Sequence, residues 1–278
     1  MKRILLLTTA IAILASCNST SNKAEVPTMV GVKKMTITEV EATQRFGKSS
    51  MGDTVSVNIF TYDEEGKVLR QTTYDEDGLD TEKTYTYTDS LVRMREYREM
   101  GLLSYYITEE STYNSNNLLV HKVRIYDGKV EEEDTYTYDD HGNVIYHKNV
   151  DSDKGGFGNY EENNEYQYDD LGRISSWTNT KTYIGRDWSP SVANYEYEYR
   201  KDGTMSILRN DGTYKTKGVY DRFYNVIENY FTTVEDNSMG EVDSRYEYEY
   251  DKNNRVVKVL AYDGDLIESY TFYEYELY

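Results

Sequence analysis

The chain has 278 residues and carries 50 acidic against 31 basic side chains, a net charge of −19. A chain this acidic repels phosphate backbones and anionic lipid surfaces, which sets nucleic acid aside as a partner. With 31 Tyr, 6 Phe, 2 Trp and only 2 Pro it is too aromatic for a disordered chain, and its composition favours strands.

The first element is a leader. Met1-Lys2-Arg3 is positive, and an apolar run from Ile4 to Leu14 follows, interrupted only by Thr8 and Thr9. A bilayer-spanning helix needs ~20 apolar residues, so the run is too short to cross. Positive start, short apolar core and small residues at the end predict a cleaved secretory signal over residues 1–16. Leu14-Ala15-Ser16-Cys17 resembles the bacterial lipobox, and Cys17 is the only cysteine, so no internal disulfide competes for its thiol. The resemblance implies lipid attachment at Cys17 and a membrane partner reached through that lipid. Each buried CH₂ of an acyl chain contributes ~0.8 kcal/mol, and two or three chains anchor stably. Asn18 in place of an aspartate, with no acidic cluster over Ser19–Lys23, points to the outer membrane and leaves its periplasmic and surface faces both open. Residues 17–30, polar and holding Pro27, read as a flexible tether, and residues 31–278 as a single β-repeat domain.

After the tether, Met35-Thr36-Ile37 and Val55 to Ile59 alternate, which predicts an opening hairpin over residues 33–62. From there the unit Tyr-x-Tyr-Asp-x-x-Gly-x-Val/Ile recurs, most clearly at Phe60–Val68, Tyr136–Val144 and Tyr166–Ile174. Segments such as Tyr195-Glu196-Tyr197-Glu198-Tyr199 place Tyr on one strand face and Glu on the other. Asp-x-x-Gly supplies a type I turn and a left-handed residue, so Tyr62 is expected opposite Val68, Tyr138 opposite Val144, Tyr168 opposite Ile174, Tyr199 opposite Met205 and Tyr250 opposite Val256. Asn254 replaces the glycine in one copy and tolerates the left-handed conformation. Tyr224 occupies the same slot in another, where a different turn is expected. The expected fold is all-β, an antiparallel meander of roughly twenty strands, past the ~10 at which open sheets curl or split. It forms one curled sheet, open or partly closed as a barrel.

The repeat resembles the YD repeat of the RHS (rearrangement hotspot) family over most of residues 58–278, and the layout is similar to short YD-repeat lipoproteins of Bacteroidota. The resemblance implies a β-repeat architecture. Full RHS proteins build a spiralling β-shell around a toxic C-terminal domain, whereas this chain runs to its last residues in repeat-like Tyr270-Thr271-Phe272-Tyr273-Glu274-Tyr275.

Both tryptophans fall within Trp177–Asn194, between well-formed repeats, with Tyr183, Arg186, Asp187 and Trp188. Aromatics with Arg and Asp on an insertion suit a sugar or a peptide. Metal signals are weak: Asp75, Asp77, Asp80 and Glu82 crowd one turn without the spacing of a calcium loop, and Gly155-Gly156-Phe157-Gly158-Asn159-Tyr160 has Tyr where a calcium nonapeptide needs Asp. His121, His141 and His147 show no ligand pattern, and His141 is expected to be solvated in its turn. No metal, cofactor or catalytic residue is assigned, and no nucleophile elbow, zinc-protease helix or phosphate loop occurs. Three readings follow: a non-enzymatic envelope module binding a glycan or an envelope protein, an assembly component pairing through sheet edges, and a glycan hydrolase.

Overall fold

The computed structural model describes residues 29–100, 103–152, 159–183, 191–233 and 242–278. Every regular element in them is a strand: β1 (Val32–Arg45), β2 (Lys48–Tyr62), β3 (Val68–Asp75), β4 (Gly78–Tyr87), β5 (Leu91–Met100), β6 (Leu103–Tyr113), β7 (Leu119–Tyr126), β8 (Lys129–Tyr138), β9 (Val144–Asp151), β10 (Tyr160–Tyr168), β11 (Ile174–Tyr183), β12 (Ser191–Tyr199), β13 (Met205–Asn210), β14 (Tyr214–Tyr220), β15 (Val226–Thr233), β16 (Val242–Tyr250), β17 (Val256–Asp263) and β18 (Leu266–Leu277). Each pairs antiparallel with the next, and β1 pairs with β18 from Val32↔Leu277 to Glu41↔Ser269. The curled sheet therefore closes as an 18-stranded up-and-down barrel. Closure gives β1 and β18 the backbone partners that an edge strand lacks.

The repeat turn is the local cause of the meander. At Asp63, Asn114, Asp139, Asp169, Asp221 and Asp251, one side-chain oxygen accepts the backbone N–H groups two and four residues on, at 2.8–3.0 Å. The third residue after each is left-handed: Gly66, Asn117, Gly142, Gly172, Tyr224 and Asn254. All five expected cross-strand pairs form, four of them at a bulge and Tyr199 with Met205 in regular register. Tyr224 corrects the sequence reading. Its φ is 64°, and the turn keeps the bonds of its siblings, Asp221 N–H to Asn225 O at 2.9 Å and Tyr224 N–H to Asp221 O at 3.0 Å. The Asp221 carboxylate holds the loop tightly enough to carry a non-glycine in a region costing ~1–2 kcal/mol. Where Arg200 replaces the aspartate, Gly203 stays left-handed and Asp202 caps Thr204 instead.

All these turns link an even strand to an odd one, so they share one rim. β1 begins there and β18 ends there, with Tyr278 N–H bonded to Gly31 O at 3.2 Å. We term this the anchor rim, because the segment from Cys17 joins it. Successive repeats are latched along it. The Tyr168 hydroxyl bonds to Asp139 and that of Tyr250 to Asp221, while Arg173 and Arg255 lie over the rings of Tyr199 and Tyr275 at 4.7 and 4.5 Å.

Register fixes the two faces. The face holding the repeat tyrosines also holds Glu96, Asp134, Asn149, Asn164 and Asn179, all buried although no second layer covers the sheet. Most of the buried side chains, and all of these carboxylates and amides, lie on this one face, which we assign to the lumen. The outer face carries cross-strand ion pairs around its circumference, including Arg93–Glu110 at 2.7 Å, Lys148–Glu161 at 3.4 Å and Lys258–Glu249 at 2.7 Å. Outer apolar side chains gather near the closure, where Val57, Ile59, Val40, Tyr270 and Phe272 sit together. A compact apolar cluster among the described residues is inside at the anchor rim: Val32, Met35 and Tyr62, with Phe60, Val68, Tyr273 and Tyr275 against them.

Candidate functional site in the barrel lumen

The lumen has two unlike ends, and the even strands show why. On three of them the inner residues become aromatic toward the anchor rim: Thr81, Lys83, Tyr85, Tyr87 on β4; Glu132, Asp134, Tyr136, Tyr138 on β8; and, after Tyr160 at the far rim, Glu162, Asn164, Tyr166, Tyr168 on β10. The same direction holds for Ser244, Tyr246, Tyr248, Tyr250 on β16. Tyrosines thus floor the anchor end, whereas the far end mixes polar side chains with Tyr160 and Tyr183. Burial raises the hydroxyls of Tyr62, Tyr85, Tyr160 and Tyr166 to about 12, so they stay neutral donors in neutral solution.

The two sides of the lumen also differ. From β4 to β11 the inner wall is a belt of matched charges and amides. Glu96, 4% exposed, is held by Arg98 and by Lys83 at 3.4 Å. Glu109 meets Lys122 at 3.0 Å. His147 Nε2 lies 2.7 Å from Asp134, its ring stacked on Tyr136 at 4.4 Å and edge-on to Tyr160. Asn149 donates to Glu132 and Asp134, both at 2.8 Å. One repeat later Asn179 donates to Glu162 at 2.6 Å and Asn164 at 2.9 Å. Burial alone would raise the Asp134 carboxyl, but the bonds from His147 and Asn149 outweigh it and hold it below the usual carboxylate range. From β12 round to β3 the wall is instead largely aromatic and aliphatic: Tyr195, Tyr248, Val259, Tyr273, Ile37 and Phe60.

Within the belt, β4 to β7 enclose a recess of about 230 Å³ lined by Lys83, Tyr85, Met94, Glu96, Arg98, Ile107, Glu109 and Arg124. Sequence reasoning did not find it, because its residues come from four strands and match no motif.

The sequence-predicted residues divide. Trp177 lies on the inner wall of β11, half-buried, its Nε1–H donating to Asn164 at 2.7 Å and its ring 6.1 Å from Tyr195. Tyr183 ends the same face, 5.7 Å from Tyr160, and Lys181 sits 3.4 Å over the Tyr160 ring. Arg186, Asp187 and Trp188, the stretch Gly155–Gly158, Cys17 and the leader lie outside the described residues. The acidic turn does not converge: Asp75 caps its own loop and Glu82 faces outward to Arg70. His121 pairs with Glu133 on the outer face, and His141, exposed in its turn as expected, stacks on Tyr168 at 4.1 Å. Among the described residues no three His, Cys, Asp or Glu side chains group to hold a metal ion.

Comparison with known proteins adds the following. Residues 1–18 match the prokaryotic membrane lipoprotein lipid attachment site. The protein is therefore lipid-anchored at the cell envelope through its N-terminus. Among solved structures, the chain is similar to a porin-like protein from Bacteroides uniformis ATCC 8492, at 10% identity over 89% of this chain and 99% of that one, with a TM-score of 0.42. A porin-like protein from Bacteroides vulgatus ATCC 8482 gives 11%, 88%, 98% and 0.40. The structure described as TcdB2-TccC3-TEV gives 12% identity over 84% of this chain and 15% of that one, with a TM-score of 0.26. No curated protein matches the sequence.

Proposed function

We propose that the protein is a non-enzymatic glycan-binding module of the outer membrane, tethered by residues 17–30 and holding its ligand in the lumen of a barrel that stands in water. The observation that carries this reading is the two-sided lumen. A sugar ring has apolar C–H faces and hydroxyl edges. Trp177, Tyr160 and Tyr183 offer stacking surfaces beside Glu162, Asn164, Asn179 and Lys181, which offer hydrogen bonds on the same wall. The anchor joins the tyrosine-floored end, so the polar end opens away from the membrane.

The outer ion pairs support a barrel beside the bilayer. A spanning barrel needs an outward apolar band, and each Arg or Lys at the midplane costs ~2–4 kcal/mol. Pairing through sheet edges loses its physical basis once β1 joins β18. The hydrolase reading needs a carboxyl acid kept protonated by a raised pKa, whereas the buried carboxylates Glu96 and Asp134 are both held by donors. Kinship of the hairpin repeat with the RHS family belongs to the same proposal, supported by the shared Asp-to-Gly turn.

The test is a glycan array with the mature chain. Binding that Trp177→Ala abolishes, with the melting temperature within a few degrees of the parent, is expected. A barrel that binds no glycan overturns the reading. A Cys17→Ser chain that requires detergent to stay monomeric overturns the aqueous placement.

A further inference from the structure

We infer that the recess between β4 and β7 is the subsite for an uncharged sugar ring, with Arg124 and Glu109 as its hydroxyl-reading pair; this rests on the glycan-binding reading above. The charges in the recess are not equally available. Glu96 is occupied by Arg98 and Lys83, and one oxygen of Glu109, Oε2, by Lys122. Arg124 lines the recess and makes no salt bridge or side-chain hydrogen bond among the described residues. A guanidinium presents five donors, and on this inner wall these have no protein acceptor.

What those donors suit follows from what faces them. Across the sheet Arg124 stands opposite Glu109 on β6 and Glu132 on β8. An anion brought to Arg124 meets both carboxylates. A cation meets Arg124, Lys83 and Arg98. A hydroxyl meets neither penalty, because it accepts from Arg124 and donates to Glu109 at once. Vicinal hydroxyls on a ring satisfy both residues together. Tyr85, neutral and half-buried, supplies a ring surface and Met94 and Ile107 the apolar remainder. The volume, about 230 Å³, is below the roughly 300–1,000 Å³ of drug-sized pockets and suits a single ring of a longer chain.

The test titrates the full mature protein with neutral, uronate-containing and sulfated oligosaccharides of matched length. The wild type is expected to prefer the neutral series. Arg124→Gln, which breaks no ion pair, should weaken neutral binding by about 10- to 100-fold, the worth of one charge-assisted hydrogen bond, at unchanged melting temperature. Glu109→Gln leaves Arg124 less opposed and should move preference toward the uronates, a change that general loosening of the fold does not produce. Neutral binding unaltered by Arg124→Gln overturns the subsite while leaving the lumen reading in place. A preference of the wild type for charged sugars overturns the ligand class. Absence of any glycan binding removes both.

Discussion

Asp139 joins a turn to the neighbouring repeat, and its replacement by alanine measures how the barrel is stitched along its anchor rim. The side chain accepts His141 N–H at 3.0 Å and Asn143 N–H at 2.8 Å, and its second oxygen takes the Tyr168 hydroxyl. Two turn bonds contribute about 0.5–1.5 kcal/mol each, and a bond to a charged group about 1.5–3. Partial exposure favours the lower ends, so Asp139→Ala should cost about 3 kcal/mol. Asn114 makes the same two turn bonds, both 3.0 Å, without a tyrosine on its side chain, so Asn114→Ala should cost about 1–2 kcal/mol. The difference belongs to Tyr168, and an Asp139→Ala/Tyr168→Phe cycle should return about 1–2 kcal/mol of coupling. Urea unfolding of the mature chain, followed by circular dichroism, supplies all four values. Equal costs at Asp139 and Asn114 with coupling under about 0.3 kcal/mol would refute the latch.

The acid limb of stability follows from the carboxyls of Asp134, Asp139, Asp169 and Asp251. In each, burial raises the pKa and hydrogen bonds outweigh it, leaving the folded value below the unfolded one. Their contribution is complete above about pH 4 and is lost as pH falls through the lowered native values, so the melting temperature should fall below about pH 4; a rise on acidification refutes this. Tyr62, Tyr85, Tyr160 and Tyr166 are raised to about 12 by burial, so their stabilisation holds below about pH 10 and is lost as pH climbs toward 12. Absorbance at tyrosinate wavelengths should show a fraction that ionises only with unfolding. Phe46 is fully exposed with φ 52° beside Gly47 in a two-residue hairpin loop, and Phe46→Asn should raise stability by about 1 kcal/mol in the same urea assay. Ending the chain at Tyr262 removes β18 and leaves β1 and β17 as bare edges, so size-exclusion chromatography should show association in place of a monomer.

Strands, turns and register were legible because each is local. Tyr138 and Val144 are six positions apart, and Asp139 with Gly142 dictates how they meet. Closure was not legible, since the pairing of Val40 with Tyr270 depends on stagger accumulated over all intervening hairpins. The Tyr224 turn was misread by treating the left-handed slot as decisive, when the Asp221 cap two bonds strong is what holds the loop. Of the candidate site, Trp177 and Tyr183 were seen as aromatic, but not as lumenal, because which face points inward follows from curvature and not from alternation. His147 carried no motif; its partners Asp134 and Tyr160 come from the strands on either side.

One pattern in the sequence nonetheless encodes the cup. Along β8 the inner residues read Glu132, Asp134, Tyr136, Tyr138, and along β10 Glu162, Asn164, Tyr166, Tyr168. Alternation fixes that these four share a face, and the turn aspartate that follows fixes which end of the strand they approach. Since every such turn lies on the rim where the anchored segment joins, the change from carboxylate and amide to tyrosine runs in the same spatial direction on both strands. Exchanging the inner pairs Asn164 with Tyr166 and Asn179 with Trp177 inverts the gradient on β10 and β11 while conserving composition. The inverted barrel should melt lower for the lost Asn164 and Asn179 bonds and, at a temperature where its strand spectrum is still that of the folded parent, should no longer bind glycan. Retained binding would show that the orientation of the polar end has no part in recognition.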